Sequence, residues 1–361
     1  TNINGNGHTI DAKGKSRIFN ITSGVSVTFN NINFINGKDI YSGLEEMSAG
    51  AISVNGNSNL TVTNSTFTNT TTDSNGGAIT LYRQGTRGNL IVTNSTFNHI
   101  TASGYGGAIF CSGNRGGLIV TNSIFNDIES TGITGGAIYS FGKRNSVIVI
   151  NSTFNNTRAI AEYGGGAIWS NTNITVINSN FTNTKATYGG AIRTNGNVTV
   201  INSNFNHVIA TGNAGAIYAT GTESSVTVIN SNFNNTKAEY NVGGAIYSRG
   251  NLIVTGSTFN NSTSLDYGGA ILGNANVTVC DSKFTNCNSV NGKDIYAQES
   301  VTLLANDYDG KTTYTNAEVV CNSITNIDPD SFESVQLRIN ITPANIDLNL
   351  PNKKYTANEN D

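Results

Sequence analysis

Two short anchors recur along the chain and limit what it can fold into. The first is a Gly/Ala-Gly-Ala-Ile unit, which occurs at Ala49–Ile52, Gly76–Ile79, Gly106–Ile109, Gly135–Ile138, Gly165–Ile168, Gly189–Ile192, Ala214–Ile217, Gly243–Ile246 and Gly268–Ile271. The second is Asn-x-x-Phe, which occurs at Asn31–Phe34, Asn64–Phe67, Asn94–Phe97, Asn122–Phe125, Asn151–Phe154, Asn178–Phe181, Asn202–Phe205 and Asn230–Phe233, and decays to Gly256–Phe259 and Asp281–Phe284. Successive anchors lie 24 to 33 residues apart. A unit of this length cannot bury its own apolar face, so neighbouring units must stack on one another.

The composition selects a β-solenoid from the known repeat architectures. Charged residues make up 12% of the chain, Gly accounts for 40 residues, and Asn, Thr, Ser, Ile and Val fill most of the rest. Such a composition is typical of strands joined by Gly and Asn turns. The Leu-x-x-Leu-x-Leu pattern of leucine-rich repeats is missing, and propeller blades and helical repeats are longer. The sequence therefore predicts an all-β fold, a right-handed parallel β-helix of about ten coils.

Each coil is expected to hold two strands and a variable turn. In the first strand, Ile79 and its equivalents point inward, as does the position of Leu81 two residues later. In the second strand, Leu60 and Val62 set the inward phase, and the Phe67-type residues are expected to stack as an aromatic column. The same phase predicts a buried ladder of mutually hydrogen-bonded amides at Asn64, Asn94, Asn122, Asn151, Asn178, Asn202 and Asn230.

The repeat pattern divides the chain into three parts. Residues 1–304 are expected to form the β-helix, with Thr1–Asn20 as its opening coil. Residues 305–330 are expected to be a capping or linker segment, and residues 331–361 a strand-containing C-terminal segment. Within this last part, Val335–Ile341 alternates as a strand, which either begins an immunoglobulin-like domain or lies along the end of the rod.

A row of aromatic residues is expected on the outside of the first strand. The position after each isoleucine anchor holds Arg193 in one coil and therefore points outward, and in other coils it holds Phe110, Tyr139, Trp169, Tyr218 and Tyr247. A second set lies just before the Gly pair and comprises Tyr105, Tyr163, Tyr188 and Tyr267. One ring per coil at about 4.8 Å spacing suits stacking on sugar rings. The alternative is that the aromatic residues only pair between strands.

The second strand carries an outward stripe of isoleucine and threonine. Its isoleucines are Ile91, Ile119, Ile148, Ile150, Ile177, Ile201, Ile229 and Ile253. An exposed face of β-branched side chains usually meets a cover, a partner or a ligand. Ice binding is a further alternative, although the mixture of Ile and Thr is irregular for a lattice match.

The Gly-Gly-Ala-Ile and Asn-Ser-Thr-Phe units resemble the repeats of adhesin-like surface proteins of methanogenic archaea and, more loosely, those of chlamydial polymorphic outer-membrane proteins. The likeness covers Ile3–Leu304, and its first residues, Ile3–Ile10, look like the first coil of many pectate-lyase-like β-helices. The resemblance implies an extracellular cell-surface protein that attaches to a glycan or glycoprotein of another cell, with its signal and anchor outside this sequence. It supplies no catalytic residues, because the shared motifs are structural.

Charge and cysteine content exclude several classes of function. The formal net charge is −3 and no basic block occurs, so no nucleic-acid partner is expected. No run of about 18 apolar residues is present, so no membrane insertion is expected. The four cysteines lack a Cys-x-x-Cys pair or a His cluster, so neither a metal nor another cofactor is expected. A disulfide between Cys280 and Cys287 remains open.

An enzyme is the alternative function, because many β-helices are polysaccharide lyases or glycoside hydrolases. Hydrolases need two facing carboxylates, and lyases need a base beside acidic calcium ligands. The acidic residues within the coils are few and scattered, at Asp73, Asp127, Glu129, Glu162, Glu223, Glu239, Asp266 and Asp281. His99 and His207 replace turn asparagines of other coils, and Asp307–Gly310 lacks most of a calcium loop. The sequence therefore favours a binding protein over an enzyme.

Overall fold

The computed structural model of the chain describes residues 1–304, except 23, 40–48, 83–87, 114–115, 133 and 161–162, together with the strands at 318–321, 324–327 and 336–339. Every regular element in these residues is a β-strand, and each strand pairs in parallel with its counterpart in the neighbouring coil. Eleven consecutive coils contribute a strand to each of three sheets. The predicted all-β parallel β-helix is confirmed.

The chain passes through the three parallel sheets in the same order in every coil. Sheet 1 consists of Asn2–Asn4, Ser26–Asn30, Asn59–Thr63, Leu90–Thr93, Gly116–Thr121, Asn145–Ile150, Asn173–Ile177, Val198–Ile201, Val226–Ile229, Leu252–Thr255, Asn276–Cys280, Ser300–Leu304 and Ile324–Ile327. Sheet 2 consists of Thr9–Asp11, Asn33–Ile35, Lys38–Asp39, Thr66–Thr68, Thr71–Thr72, Thr96–Ala102, Ile124–Ser130, Thr153–Ala159, Asn180–Thr182, Lys185–Ala186, Asn204–Ala210, Asn232–Ala238, Thr258–Asn260 and Lys283–Thr285. Sheet 3 consists of Phe19–Ile21, Ile52–Asn55, Ile79–Tyr82, Ile109–Ser112, Ile138–Phe141, Ile168–Ser170, Ile192–Thr194, Ile217–Ala219, Ile246–Ser248, Ile271–Gly273, Ile295–Ala297, Glu318–Cys321 and Gln336–Ile339.

An asparagine in the left-handed conformation turns the chain from sheet 1 into sheet 2. Asn64 has a φ of 50°, and Asn94 and Asn122 have φ values of 49° and 50°. Asparagine tolerates this region better than most residues, because its short polar side chain forms local hydrogen bonds. The expectation of two strands per coil is therefore wrong. The corner separates the valine strand from the phenylalanine strand, so each coil has three.

Columns of similar side chains fill the interior. The phenylalanine rings of sheet 2 stack from Phe34 to Phe284 with centroids 4.6–5.0 Å apart and interplanar angles of 16° or less. This confirms the predicted aromatic column. Ile79 and Leu81 of sheet 3 are fully buried, as are Leu60 and Val62 of sheet 1. The inward phases predicted for both strands are thus confirmed up to the asparagine corner.

The corner asparagines form an amide ladder, but it lies on the surface. Asn94 Nδ2 donates to Asn64 Oδ1 at 3.2 Å, and Asn122 Nδ2 donates to Asn94 Oδ1 at 3.1 Å. The bond recurs at 3.1 Å from Asn151 to Asn122 and from Asn178 to Asn151. All the predicted ladder residues are exposed, namely Asn64, Asn94, Asn122, Asn151, Asn178, Asn202 and Asn230. The predicted burial is wrong, because the left-handed backbone at each asparagine ends the strict alternation that an extended strand requires.

Serines take the inward place that was expected for the asparagines. The residue after each corner is buried, at Ser65, Ser95, Ser123, Ser152, Ser179, Ser203, Ser231, Ser257 and Ser282. Ser152 Oγ accepts the backbone N–H of Ser123 at 3.1 Å and donates to the carbonyl of Ile150 at 2.8 Å. The serine hydroxyls thereby form hydrogen bonds with backbone N–H and C=O groups at the corner, and buried backbone groups require such partners.

Replacing Ser152 with alanine is expected to lower the free energy of unfolding by about 1–3 kcal/mol, since it leaves the buried N–H of Ser123 without its acceptor. The measurement is the urea midpoint of the variant against that of the wild-type chain. Ser146→Ala is the control, because Ser146 lies half-buried on the outside of sheet 1 and should change the midpoint little. Equal midpoints for the two variants would contradict a role for the serine ladder.

The two ends of the rod extend the same sheets. Asn2–Asn4 pairs with Ser26–Asn30, so Thr1–Asn20 forms the opening coil as predicted. At the other end, Glu318–Cys321 pairs with Ile295–Ala297, and Gln336–Ile339 pairs with Glu318–Cys321. The parallel ladder therefore continues past residue 304, with the last strand along the end of the rod. The division into residues 305–330 and 331–361 stays a prediction, because most of those residues lie outside the described part.

The two cysteines considered for a disulfide are free thiols, one on the outside of sheet 1 and the other against the interior of the rod. Cys280 pairs in register with Thr255 in an outward column of sheet 1, whereas the Cys287 Sγ lies 3.7 Å from the carbonyl oxygen of Phe259. Burial raises the pKa of the Cys287 thiol to about 12. The bridge left open by the sequence is therefore absent.

Candidate functional site

The residue after each isoleucine anchor forms a column on the outside of sheet 3. Strand pairing aligns these positions in register, in the order Asn20, Ser53, Thr80, Phe110, Tyr139, Trp169, Arg193, Tyr218, Tyr247, Leu272 and Tyr296. The predicted row of aromatic side chains, one per coil, is therefore present from Phe110 to Tyr247, with Arg193 as an interruption.

The first half of this row is covered. Phe110, Tyr139 and Trp169 are only 3%, 8% and 9% exposed and form an apolar cluster separate from the core. The Tyr105 ring, which precedes the Gly pair of its coil, lies 4.7 Å from the Tyr139 ring, and Tyr82 also packs on the cluster. The expectation of an exposed ridge is wrong for these three residues, because their rings stack on one another and Tyr105, from the turn before one Gly pair, packs against Tyr139.

The second half of the row reaches the surface. Tyr218 and Tyr247 are partly exposed, and their ring centroids lie 5.0 Å apart. Tyr188 stacks on Tyr218 at 5.3 Å, and Tyr163 is 52% exposed. Of the predicted aromatic residues, solvent or a ligand can therefore reach Tyr105, Tyr163, Tyr188, Tyr218, Tyr247 and Tyr267, of which Tyr163 and Tyr267 are the most exposed.

Arg193 lies among three of these rings. Its guanidinium carbon is 5.5 Å from the ring centroid of Tyr163, 5.2 Å from that of Tyr188 and 5.6 Å from that of Tyr218. These distances are within the range of cation–π attraction. We call Arg193, Tyr163, Tyr188 and Tyr218 the tyrosine cage.

Several polar groups at the cage have no hydrogen-bond partner in the part of the chain that the structure describes. Nε and Nη1 of Arg193, Nε1 of Trp169 and Oδ1 of Asn213 are buried and form no hydrogen bond. No ion pair of the described residues includes Arg193. Buried polar groups are nearly always hydrogen-bonded in folded proteins, so two unpaired nitrogens on one partly buried cation need a physical explanation.

Burial shifts the pKa values of Tyr139, Arg193 and Tyr247 in the directions expected for desolvation. It raises the pKa of Tyr139 and of Tyr247, because the phenolate would lose hydration. It lowers the pKa of Arg193, because the cation has lost hydration. An arginine remains charged even so, and Arg193 therefore carries a positive charge that water solvates incompletely.

The outer face of sheet 1 carries the predicted isoleucine and threonine stripe. Its isoleucines are outward and partly exposed from Ile91 to Ile229, and Ile253 is 44% exposed. Ile91, Ile119 and Ile148 align in one column, and Ile150, Ile177, Ile201 and Ile229 align in the next. The stripe offers an uncharged surface, but its described residues form no cluster of converging polar groups of the kind that usually fixes a ligand.

On the surface of sheet 2, two acidic residues each lie beside a basic residue of the neighbouring coil. Arg158 Nε donates to Glu129 at 2.8 Å, and His99 Nδ1 lies 3.3 Å from an Asp127 oxygen. His99 and His207 have φ values of 54° and 53°, as Asn156, Asn183 and Asn235 have at the equivalent bend within sheet 2 (54°, 54° and 53°). Their interpretation as replacements of turn asparagines is therefore confirmed. Among the residues described, no three His, Cys, Asp or Glu side chains gather as metal ligands. The segment Asp307–Gly310 lies outside the described residues.

Comparison with known proteins identifies no relative: no family model, no curated protein and no solved structure matches this chain. Within the described residues, no helix has the length and hydropathy to cross a membrane.

Sequence reasoning missed Arg193 as a site residue and used it only to show which way its column points. The signal was present, since Arg193 is the one charged residue in the aligned column between Asn20 and Tyr296. What the sequence does not reveal is that Tyr163 and Tyr188, from the turns before two different Gly pairs, converge on it.

Proposed function

We propose that this chain is an extracellular, cell-surface protein of the adhesin-like kind, which binds a glycan or glycoprotein of another cell through an exposed face of its β-helix. The observation that carries the proposal is the tyrosine cage, where a half-exposed ring adjoins a cation that has no ion-pair partner among the described residues. Tyrosine faces stack on sugar rings, and aromatic residues and arginine are enriched where proteins bind partners.

The rest of the rod supports a binding rather than a catalytic role. In the ion pairs of the described residues, Asp39, Asp127 and Glu129 each lie beside a basic side chain, whereas hydrolysis of a glycosidic bond requires two carboxyl groups that face each other. A stack of coils also presents its surface side chains at a repeat of about 4.8 Å. An extended polymer that lies along the rod would therefore contact the same strand arrangement in each coil.

The test is to titrate the purified chain with polysaccharides while following the emission of Trp169, the single tryptophan. Trp169 pairs in register with Arg193, so a ligand at the cage changes its surroundings. Tyr163→Ala is expected to weaken binding about fivefold, which corresponds to the loss of one stacking contact of about 1 kcal/mol.

Tyr240→Ala is the matched control, because Tyr240 is 68% exposed in a turn and has no ring contact among the described residues. It should bind like the wild-type chain. If no polysaccharide changes the emission and cells attach equally to both variants, the cage is not the binding site and the stripe of sheet 1 becomes the candidate. Release of sugar product during the titration would identify a lyase or hydrolase instead.

A further inference from the structure

We propose that the tyrosine cage selects acidic glycans, in which the carboxylate of a uronate-type sugar pairs with Arg193 while the sugar ring lies against Tyr163. This inference rests on the proposed glycan-binding function and names the class of sugar. It follows from the charge state, the position and the surroundings of one side chain.

The position of Arg193 is one where the fold does not require a charge. Its neighbours in the column are Trp169 and Tyr218, and the column accommodates Leu272 two coils further on. An aromatic or aliphatic side chain therefore fits this register without strain. An arginine here takes a cation partly out of water and leaves two of its nitrogens without hydrogen bonds, which disfavours folding unless another role retains it.

The surroundings of Arg193 favour an incoming anion. The three tyrosine rings lie within cation–π distance of the guanidinium, and their hydroxyl oxygens accept no hydrogen bond from its Nε or Nη1. No described carboxylate forms an ion pair with it. The charge-assisted hydrogen bonds that an arginine donates to a carboxylate are among the strongest in proteins. Partial burial further strengthens the attraction by excluding water.

A sugar acid fits the cage better than a free carboxylate does. Tyr163 is 52% exposed and stands within cation–π distance of Arg193, so exposed aromatic surface and a cation are neighbours at the cage. A hexuronate offers the complementary pair, an apolar face of axial C–H groups and a carboxylate at its edge. A neutral hexose supplies only the first.

The experiment compares four polymers on the full chain by Trp169 emission: polygalacturonate, its fully methyl-esterified form, dextran sulfate and dextran. We expect polygalacturonate to bind at least about tenfold more tightly than its neutral ester, which is the size of one charge-assisted hydrogen bond. Arg193→Gln should remove that difference. Arg193→Leu, which copies the residue at position 272 of the same column, should remove it as well and keeps the fold testable.

Arg144→Gln is the matched control, because Arg144 is exposed in the turn between sheets 3 and 1 and its loss changes the net charge equally. It should retain the preference for polygalacturonate. Equal binding of polygalacturonate and its ester, unchanged by Arg193→Gln, would overturn the inference while leaving glycan binding intact. Equal binding of polygalacturonate and dextran sulfate would show attraction to any polyanion and overturn carboxylate selection. Failure of all four polymers to bind would overturn the inference and count against the proposed function.

Discussion

Replacing Gly136 with alanine is expected to prevent the central coils from stacking. A Cβ at Gly136 would overlap the carbonyl oxygen of Gly166 in the next coil and lie 2.8 Å from the carbonyl carbon of Arg158. Both obstacles are backbone atoms held by the parallel ladder, where Gly107 N donates to Gly136 O at 3.0 Å and Gly136 N donates to Gly165 O at 2.8 Å. Relief requires the coils to separate. The expected loss exceeds about 4 kcal/mol, the range reached only by disruptive single changes.

The second glycine of the anchor has the same environment throughout the rod. Its Cβ would meet the carbonyl oxygen of the equivalent glycine one coil later at Gly50, Gly77, Gly107, Gly136, Gly166, Gly190, Gly215 and Gly244. The backbones of neighbouring coils approach so closely before sheet 3 that only glycine fits at this position of the motif.

Gly117→Ala is the control for this prediction. Gly117 lies in a strand of sheet 1, its φ is not left-handed, and an added Cβ would be 3.5 Å from the nearest atom, Ser146 Oγ. It should be neutral or slightly stabilising, because alanine restricts the unfolded chain. The measurement is soluble yield, thermal midpoint and far-ultraviolet circular dichroism of both variants. A folded Gly136→Ala chain with the midpoint of Gly117→Ala would contradict the close-packing argument.

Phe154→Ala is expected to lower the free energy of unfolding by about 3–5 kcal/mol, the usual cost of emptying a buried aromatic site. Phe154 is fully buried, and its ring stacks between those of Phe125 at 4.7 Å and Phe181 at 5.0 Å. The register of sheet 2 holds the phenylalanine rings of the two neighbouring coils in place. These rings therefore cannot move far into the cavity that the Phe154→Ala change would leave. The measurement is the urea-dependence of circular dichroism.

The control for the phenylalanine column is Phe141→Ala. Phe141 is 48% exposed at the end of a sheet 3 strand, so its loss should cost less than about 1 kcal/mol. Phe154→Leu should lie between the two, since it refills part of the volume but removes the stacking. Similar midpoints for Phe154→Ala and Phe141→Ala would mean that the column does not stabilise the rod.

The candidate site could be predicted only in part. The register of the column was predictable, because nine isoleucine anchors align the residues that follow them. Exposure was not, since it depends on the turns before the Gly pairs, which vary in length. One of these turns covers Tyr139 with Tyr105, whereas others bring Tyr163 and Tyr188 to Arg193. Variable turns have no period, so no repeat argument specifies where their side chains lie.

The sequence by itself determined the architecture of this protein. Anchors that recur every 24 to 33 residues can bury their apolar residues only by stacking. Period-2 alternation identified Ile79 and Val62 as inward residues, and both are fully buried. Only the tertiary structure shows that each coil contributes to three sheets and that serines, not asparagines, point into the interior. The physical reason is the backbone at Asn64, whose φ of 50° turns the chain at a point where the pattern of side chains reads as continuous. A change of one backbone angle moves the next side chain from outside to inside, and only the folded chain shows that Ser65 lies in the core and Asn64 in water.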